Sequence, residues 1–81
     1  SRRFEKQSAK LTSDQKIKLK DRLQLFAGDS RHPQLNNHKL HGKYVGFWSI
    51  NIGGDLRVVY KLMDSNHCEF VAIGSHSELY E

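Results

Sequence analysis

One cysteine, one proline, one methionine and one tryptophan stand among 81 residues, and no apolar run is long enough to span a membrane. Each scarcity excludes something. A single thiol, Cys68, cannot form an internal disulfide and suits a reducing compartment. No stretch has the form of a signal peptide, and without a membrane span the expected location is the cytoplasm. The chain also lacks an initiator methionine, so it is expected to be processed or cut from a slightly longer one. Apolar residues make up 37% of the sequence. That allows one lean domain over residues 1–81, near the lower size limit for folding on a hydrophobic core. Function is then expected on the surface or in a shallow cleft, since a deep cofactor cavity has no room.

Charge is plentiful but uneven. Residues 1–43 hold eleven Lys/Arg against four acids, whereas residues 44–81 hold two against five. A basic half joined to a mildly acidic one suits a polyanion or an acidic protein, or equally a solvated, lysine-rich helix surface.

The first part of the chain reads as helix. In "RRFEKQSAKL" (2–11), Phe4 and Leu11 lie two turns apart on one face. "TSDQ" (12–15) has the capping-box form, and a second helix is expected to about Ala27 with Leu19, Leu23 and Phe26 inward and Gly28 as its stop. Residues 29–43 read as a loop. The period then changes to two. In "YVGFWSINI" (44–52), Trp48, Ile50 and Ile52 alternate with Phe47, Ser49 and Asn51. Gly53-Gly54-Asp55 forms a turn, "LRVVYKL" (56–62) returns, Asp64-Ser65-Asn66-His67 turns again, and "CEFVAI" (68–73) is a third strand. The expected fold is α+β, with two N-terminal helices packed on a small antiparallel sheet and the other sheet face open.

An in-order meander would gather Asp55, Arg57 and one or more histidines (His38, His41, His76) at one end of the sheet. Such a set could cleave RNA. One group takes the ribose 2′-OH proton, a cation neutralises the phosphorane, and another group protonates the leaving 5′-oxygen. Imidazole titrates near neutrality, and guanidinium fits phosphate bidentately. Each residue also has a plainer reading. Arg57 could be an exposed strand residue paired with Glu69, and Asp55 a turn former. His38 and His41 invite a zinc reading, but no third ligand stands at useful spacing, so no metal is expected. His32 and His67 read as loop and turn residues, and Cys68 as a packed apolar one.

Taken in order, "RHPQLNNHKLHG", "WSINIGGDLRVVYK" and "FVAIGSHSELY" resemble the RelE/ParE superfamily of type II toxin–antitoxin toxins, closest to its YafQ-like branch. The likeness runs from about Arg2 to Tyr80. It implies a ribosome-dependent, metal-free mRNA endonuclease that needs no cofactor and inhibits translation, and a cognate antitoxin that silences it. By the same likeness His38 opens the H-x-L-x-G segment, Asp55 is the acid after the first catalytic strand, and His76 belongs to the closing G-[ST]-H motif. Tyr80 is the aromatic that ends that motif, and Arg57 matches an arginine of RelE proper thought to contact the scissile phosphate. These imply catalytic roles for His38, Asp55, Arg57 and His76, and substrate contacts for His41, Lys43, Asn51, Lys61 and Tyr80. The sequence departs from the YafQ-like pattern at Asn51 (a histidine there), Leu56 (a tryptophan) and Ala72 (an arginine). The family's first strand, which precedes the helix, is expected to be short or absent. A non-catalytic, ParE-like toxin acting by binding DNA gyrase, or a catalytically weakened family member, is the alternative. The converging histidines weigh against it, since a pure binder would not need them.

Overall fold

The computed structural model describes residues 1–80. Helix α1 (Arg2–Ala9) begins where the Ser1 hydroxyl accepts a hydrogen bond from the Phe4 N–H. It is shorter than the expected 2–11, and no strand precedes it among the described residues. The capping box forms in full: Thr12 Oγ1 accepts from the Gln15 N–H at 3.1 Å, and Gln15 Oε1 from the Thr12 N–H at 2.9 Å. Each side chain thus satisfies a backbone donor that the first helical turn leaves unpaired. Helix α2 (Ser13–Gly28) follows and buries Leu19, with Leu23, Leu25 and Phe26 partly covered.

Four antiparallel strands lie in chain order: β1 (His38–Lys39), β2 (Trp48–Gly53), β3 (Leu56–Leu62) and β4 (Cys68–Ser75). The short β1 falls inside the expected loop. β2 starts four residues later than expected, because Gly42–Tyr44 form a 3-10 turn. Alternation along β2 and β3 sends Ile50, Ile52, Leu56, Val58 and Tyr60 to the helix side, where they meet Leu19, Leu35 and Ile73. Phe26 stands edge-on to Tyr60 at 5.0 Å, and Phe4 lies against Phe70 at 5.5 Å.

The second face is not open as expected. Helix α3 (His76–Tyr80) folds back across it, and Leu79 joins Val59 and Ala72 in a smaller core edged by Leu40, Phe47, Val71 and Tyr80. Gly74 permits this close return. A Cβ there would stand 3.3 Å from Glu78 Oε1 and 3.5 Å from a Leu79 methyl. Register also overturns the Arg57–Glu69 pairing. The β3–β4 turn sets Lys61 opposite Glu69, with Nζ and Oε1 3.5 Å apart, and a bulge at Val71 brings Arg57 opposite Gly74.

Candidate active site

Helix α3 carries His76 and Tyr80, and five residues cannot hold a helix by themselves. Four sets of contacts hold it. The Ser75 Oγ accepts from the Glu78 N–H at 3.1 Å, and Glu78 Oε1 accepts from the Ser75 N–H at 2.8 Å, a second capping box. The His76 N–H donates to the Asp55 carbonyl at 3.2 Å, which ties the helix start to the β2–β3 turn. The Tyr44 hydroxyl donates to the Leu79 carbonyl, and the Tyr80 hydroxyl to Ser49 Oγ at 3.0 Å. Finally, Leu79 is 1% exposed. Burying it contributes about 1.5–3 kcal/mol, against about 0.5–1.5 kcal/mol for each net hydrogen bond. Leu79 anchors the helix, and the polar contacts set its orientation.

That orientation lays the exposed His76 ring edge-on to Tyr80, with centroids 4.8 Å apart. Tyr80 reaches the fully buried Ser49, and Ser49 is the ladder partner of His38. Directly opposed residues in an antiparallel pair point to one face, so His38, Ser49, Tyr80 and His76 share this side of the sheet. His38 Nδ1 lies 2.8 Å from the Asn36 carbonyl. A carbonyl only accepts, so Nδ1 is the nitrogen that donates here, and in the neutral ring Nε2 is the one left to accept.

Two residues along the same face, Asn51 stands opposite Arg57, and Arg57 opposite Gly74. The half-buried Arg57 turns toward the hairpin, where Nη1 donates to the carbonyls of Gly54 (2.8 Å) and Leu56 (3.1 Å). Its other guanidinium N–H groups make no hydrogen bond among the described residues. Nor does the buried Asn51 Oδ1 find a donor there. Asp55 is exposed in the turn, where Gly54 takes the positive φ (+54°) that the bend requires. Its carbonyl, not its carboxylate, makes the bond to His76. Asp55 borders the helix side of the sheet end, where a cleft of about 650 Å³ is lined by Gln7, Lys10, Asp55 and Glu78 among others.

The remaining expected contacts divide. His41 and Lys43 are exposed at the turn that carries Tyr44, and Lys43 Nζ lies 5.4 Å from the Tyr44 ring centroid. Lys61 is not at this rim. It stands four residues along β3 from Arg57, about 13 Å away, and pairs with Glu69. Among the described residues no three His, Cys, Asp or Glu side chains are grouped to hold a metal. His67 is exposed beside Asp64, whose carboxyl is held below its usual range by the Asn66 N–H and then by His67. His32 caps a 3-10 turn by accepting from the Gln34 N–H. Burial raises the Cys68 thiol, which makes it a poor nucleophile.

Sequence reading missed Tyr44, Ser49, Ser75 and Glu78, which position α3. The Ser75-His76-Ser77-Glu78 stretch carries the S-x-x-E capping signal. Ser49 and Tyr44 have no local signal, because their partners lie 31 and 35 residues away.

Two helices on one face of an antiparallel meander, with a short histidine-bearing helix on the other, define an α+β fold of the RelE-like class. Solved structures share it. YafQ from E. coli aligns with a TM-score of 0.80 at 22% identity, over 100% of this chain and 93% of that one. A mutant of E. coli YafQ gives 0.81 at 22% identity with the same coverage. A copper-bound mutant toxin from Helicobacter pylori gives 0.69 at 26% identity, over 99% and 93%. No curated protein matches the sequence. The family model for the bacterial toxin of type II toxin–antitoxin systems, YafQ, matches residues 1–81. The chain belongs to that family, and membership implies an antitoxin partner.

Proposed function

We propose that this single-domain toxin is a cytoplasmic, ribosome-dependent mRNA endonuclease that inhibits translation by cutting RNA through 2′-OH attack. The observation that carries the reading is the shared face of His38, Arg57, His76 and Tyr80, linked through Ser49 and the β2–β3 ladder. His38 Nε2 takes the proton from the ribose 2′-OH. The 2′-oxygen bonds to phosphorus, and the bond to the 5′-oxygen breaks. Arg57 donates its free N–H groups to the phosphorane oxygens. His76, protonated, gives its proton to the departing 5′-oxygen. Asn51, the ladder partner of Arg57, lies beside the phosphate contact and borders the bound strand. Tyr80 braces His76 or stacks on a base, and His41 and Lys43 contact the backbone from the neighbouring turn. Asp55 acts mainly by fixing the start of α3 through its carbonyl.

Expression in bacteria lacking the antitoxin tests this. Wild type should arrest growth and leave mRNA cut within codons. His76→Ala and Arg57→Ala should each lower cleavage about 100-fold or more. Arrest with intact mRNA and damaged DNA would instead favour a gyrase-directed toxin.

A further inference from the structure

Residues 30–54 contain no aspartate or glutamate, yet they include Arg31, Lys39 and Lys43. None of these cations has an ion-pair partner among the described residues. Two of them converge on one ring. The Arg31 guanidinium carbon lies 5.6 Å, and Lys39 Nζ 5.5 Å, from the centroid of Trp48. Lys39 is the ladder partner of Trp48, so both leave the sheet on the helix side, while the preceding residue, His38, faces the rim with Ser49.

The loop that delivers Arg31 is tied in place. The Tyr60 hydroxyl donates to Asn37 Oδ1 at 2.8 Å, and Asn37 Nδ2 donates to the Ser30 carbonyl at 2.9 Å, one residue before Arg31. Asp29, the nearest acid in sequence, accepts from the Arg31 N–H at 3.2 Å. The ring quadrupole attracts each cation by about 0.5–1 kcal/mol at an exposed site but neutralises neither. A fixed, unneutralised pair of cations beside one aromatic ring suits a phosphodiester flanked by a base.

We propose that Arg31, Lys39 and Trp48 form a phosphate clamp for RNA at the outer edge of β1, holding the strand that passes the cleavage rim. The clamp rests on the reading that this toxin acts on RNA, but it is tested without cleavage. Trp48 is the only tryptophan, so its fluorescence reports on this clamp alone. In His76→Ala protein, titration with a single-stranded RNA oligonucleotide should change Trp48 emission in a salt-sensitive way. Arg31→Gln/Lys39→Gln in the same background should weaken binding about tenfold or more. It should also lower the slope of log K against log salt by about 1.4, the counterion release of two single-strand phosphates. Lys16→Gln/Lys20→Gln, the same charge change on the outer face of α2, should leave the Trp48 response intact. Unchanged thermal unfolding of both pairs establishes that the fold survives.

Co-sedimentation with ribosomes separates the sources of RNA. Weakening there with unchanged oligonucleotide binding assigns the clamp to ribosomal RNA, and weakening in both assigns it to the message. Unaltered affinity and slope in both assays would overturn the clamp, as would loss of antitoxin binding with RNA binding kept. If the clamp responds as expected while wild type cuts no RNA, the catalytic reading fails and the clamp stands.

Discussion

The Tyr80 hydroxyl meets Ser49 at 3.0 Å while the ring supports His76 at 4.8 Å, so two substitutions separate the two contacts. Tyr80→Phe keeps the ring and leaves the buried Ser49 hydroxyl without this donor. The expected cost is about 1 kcal/mol, a fall in Tm of roughly 4–8 °C for a domain of this size, with most RNA cleavage retained. Tyr80→Ala removes the brace as well, and cleavage should drop much further. Thermal unfolding and a cleavage assay on both variants check the pair. At Gly74 the reasoning is steric. Gly74→Ala pushes the Glu78 carboxylate away from a contact of 3.3 Å, so it should loosen α3 more than it unfolds the sheet. Proteolysis near the C-terminus against the global Tm measures that difference.

Among the elements, α3 is the one on which the candidate chemistry depends. Leu79→Ala should cost about 2–5 kcal/mol, the range for emptying a buried leucine site, read as a lowered denaturant midpoint. Acid should act through Glu78. Hydrogen bonds from the Ser75 N–H and hydroxyl hold its carboxyl below the usual range, so the folded state favours the charged form. That stabilisation is complete above the ordinary carboxylate range and is lost as pH falls through the lower folded value. Loosening of α3 with acid, followed by the His76 and Tyr80 NMR signals, should be much weaker in Glu78→Gln. The elements also divide in how far sequence could reveal them. α2 announced itself through Thr12 and Gln15, and the β2–β3 hairpin through alternation around Gly53-Gly54-Asp55, because those signals are local. β1 has two residues, too few to show a period. α3 has five and closes on contacts from Tyr44, Ser49 and Asp55, so its packing on the second face was hidden. The Arg57–Glu69 pairing failed for a related reason: cross-strand partners depend on register, and the 62–68 turn and the Val71 bulge decide that.

For the whole molecule, the sheet separates two tasks. Its helix side holds the main core, including Leu35, Ile50, Ile52 and Val58, all 0% exposed. Its other side holds a smaller core whose lid is α3, and His38, Arg57, His76 and Tyr80 lie on that side. Arg57, His38 and His76 come from three different elements, so only the closed fold assembles them. Ala72, where YafQ-like toxins place an arginine, is 1% exposed beneath Leu79. The position is filled as core here, so in the proposed reaction Arg57 is the cation assigned to the scissile phosphate. The most direct measurement is the chemistry of the cut ends, made with purified protein, programmed ribosomes and end-labelled mRNA. Attack by the 2′-OH predicts a 2′,3′-cyclic phosphate (or the 3′-phosphate from its opening) on one fragment and a 5′-OH on the other. Fragments ending in 3′-OH and 5′-phosphate would contradict the account.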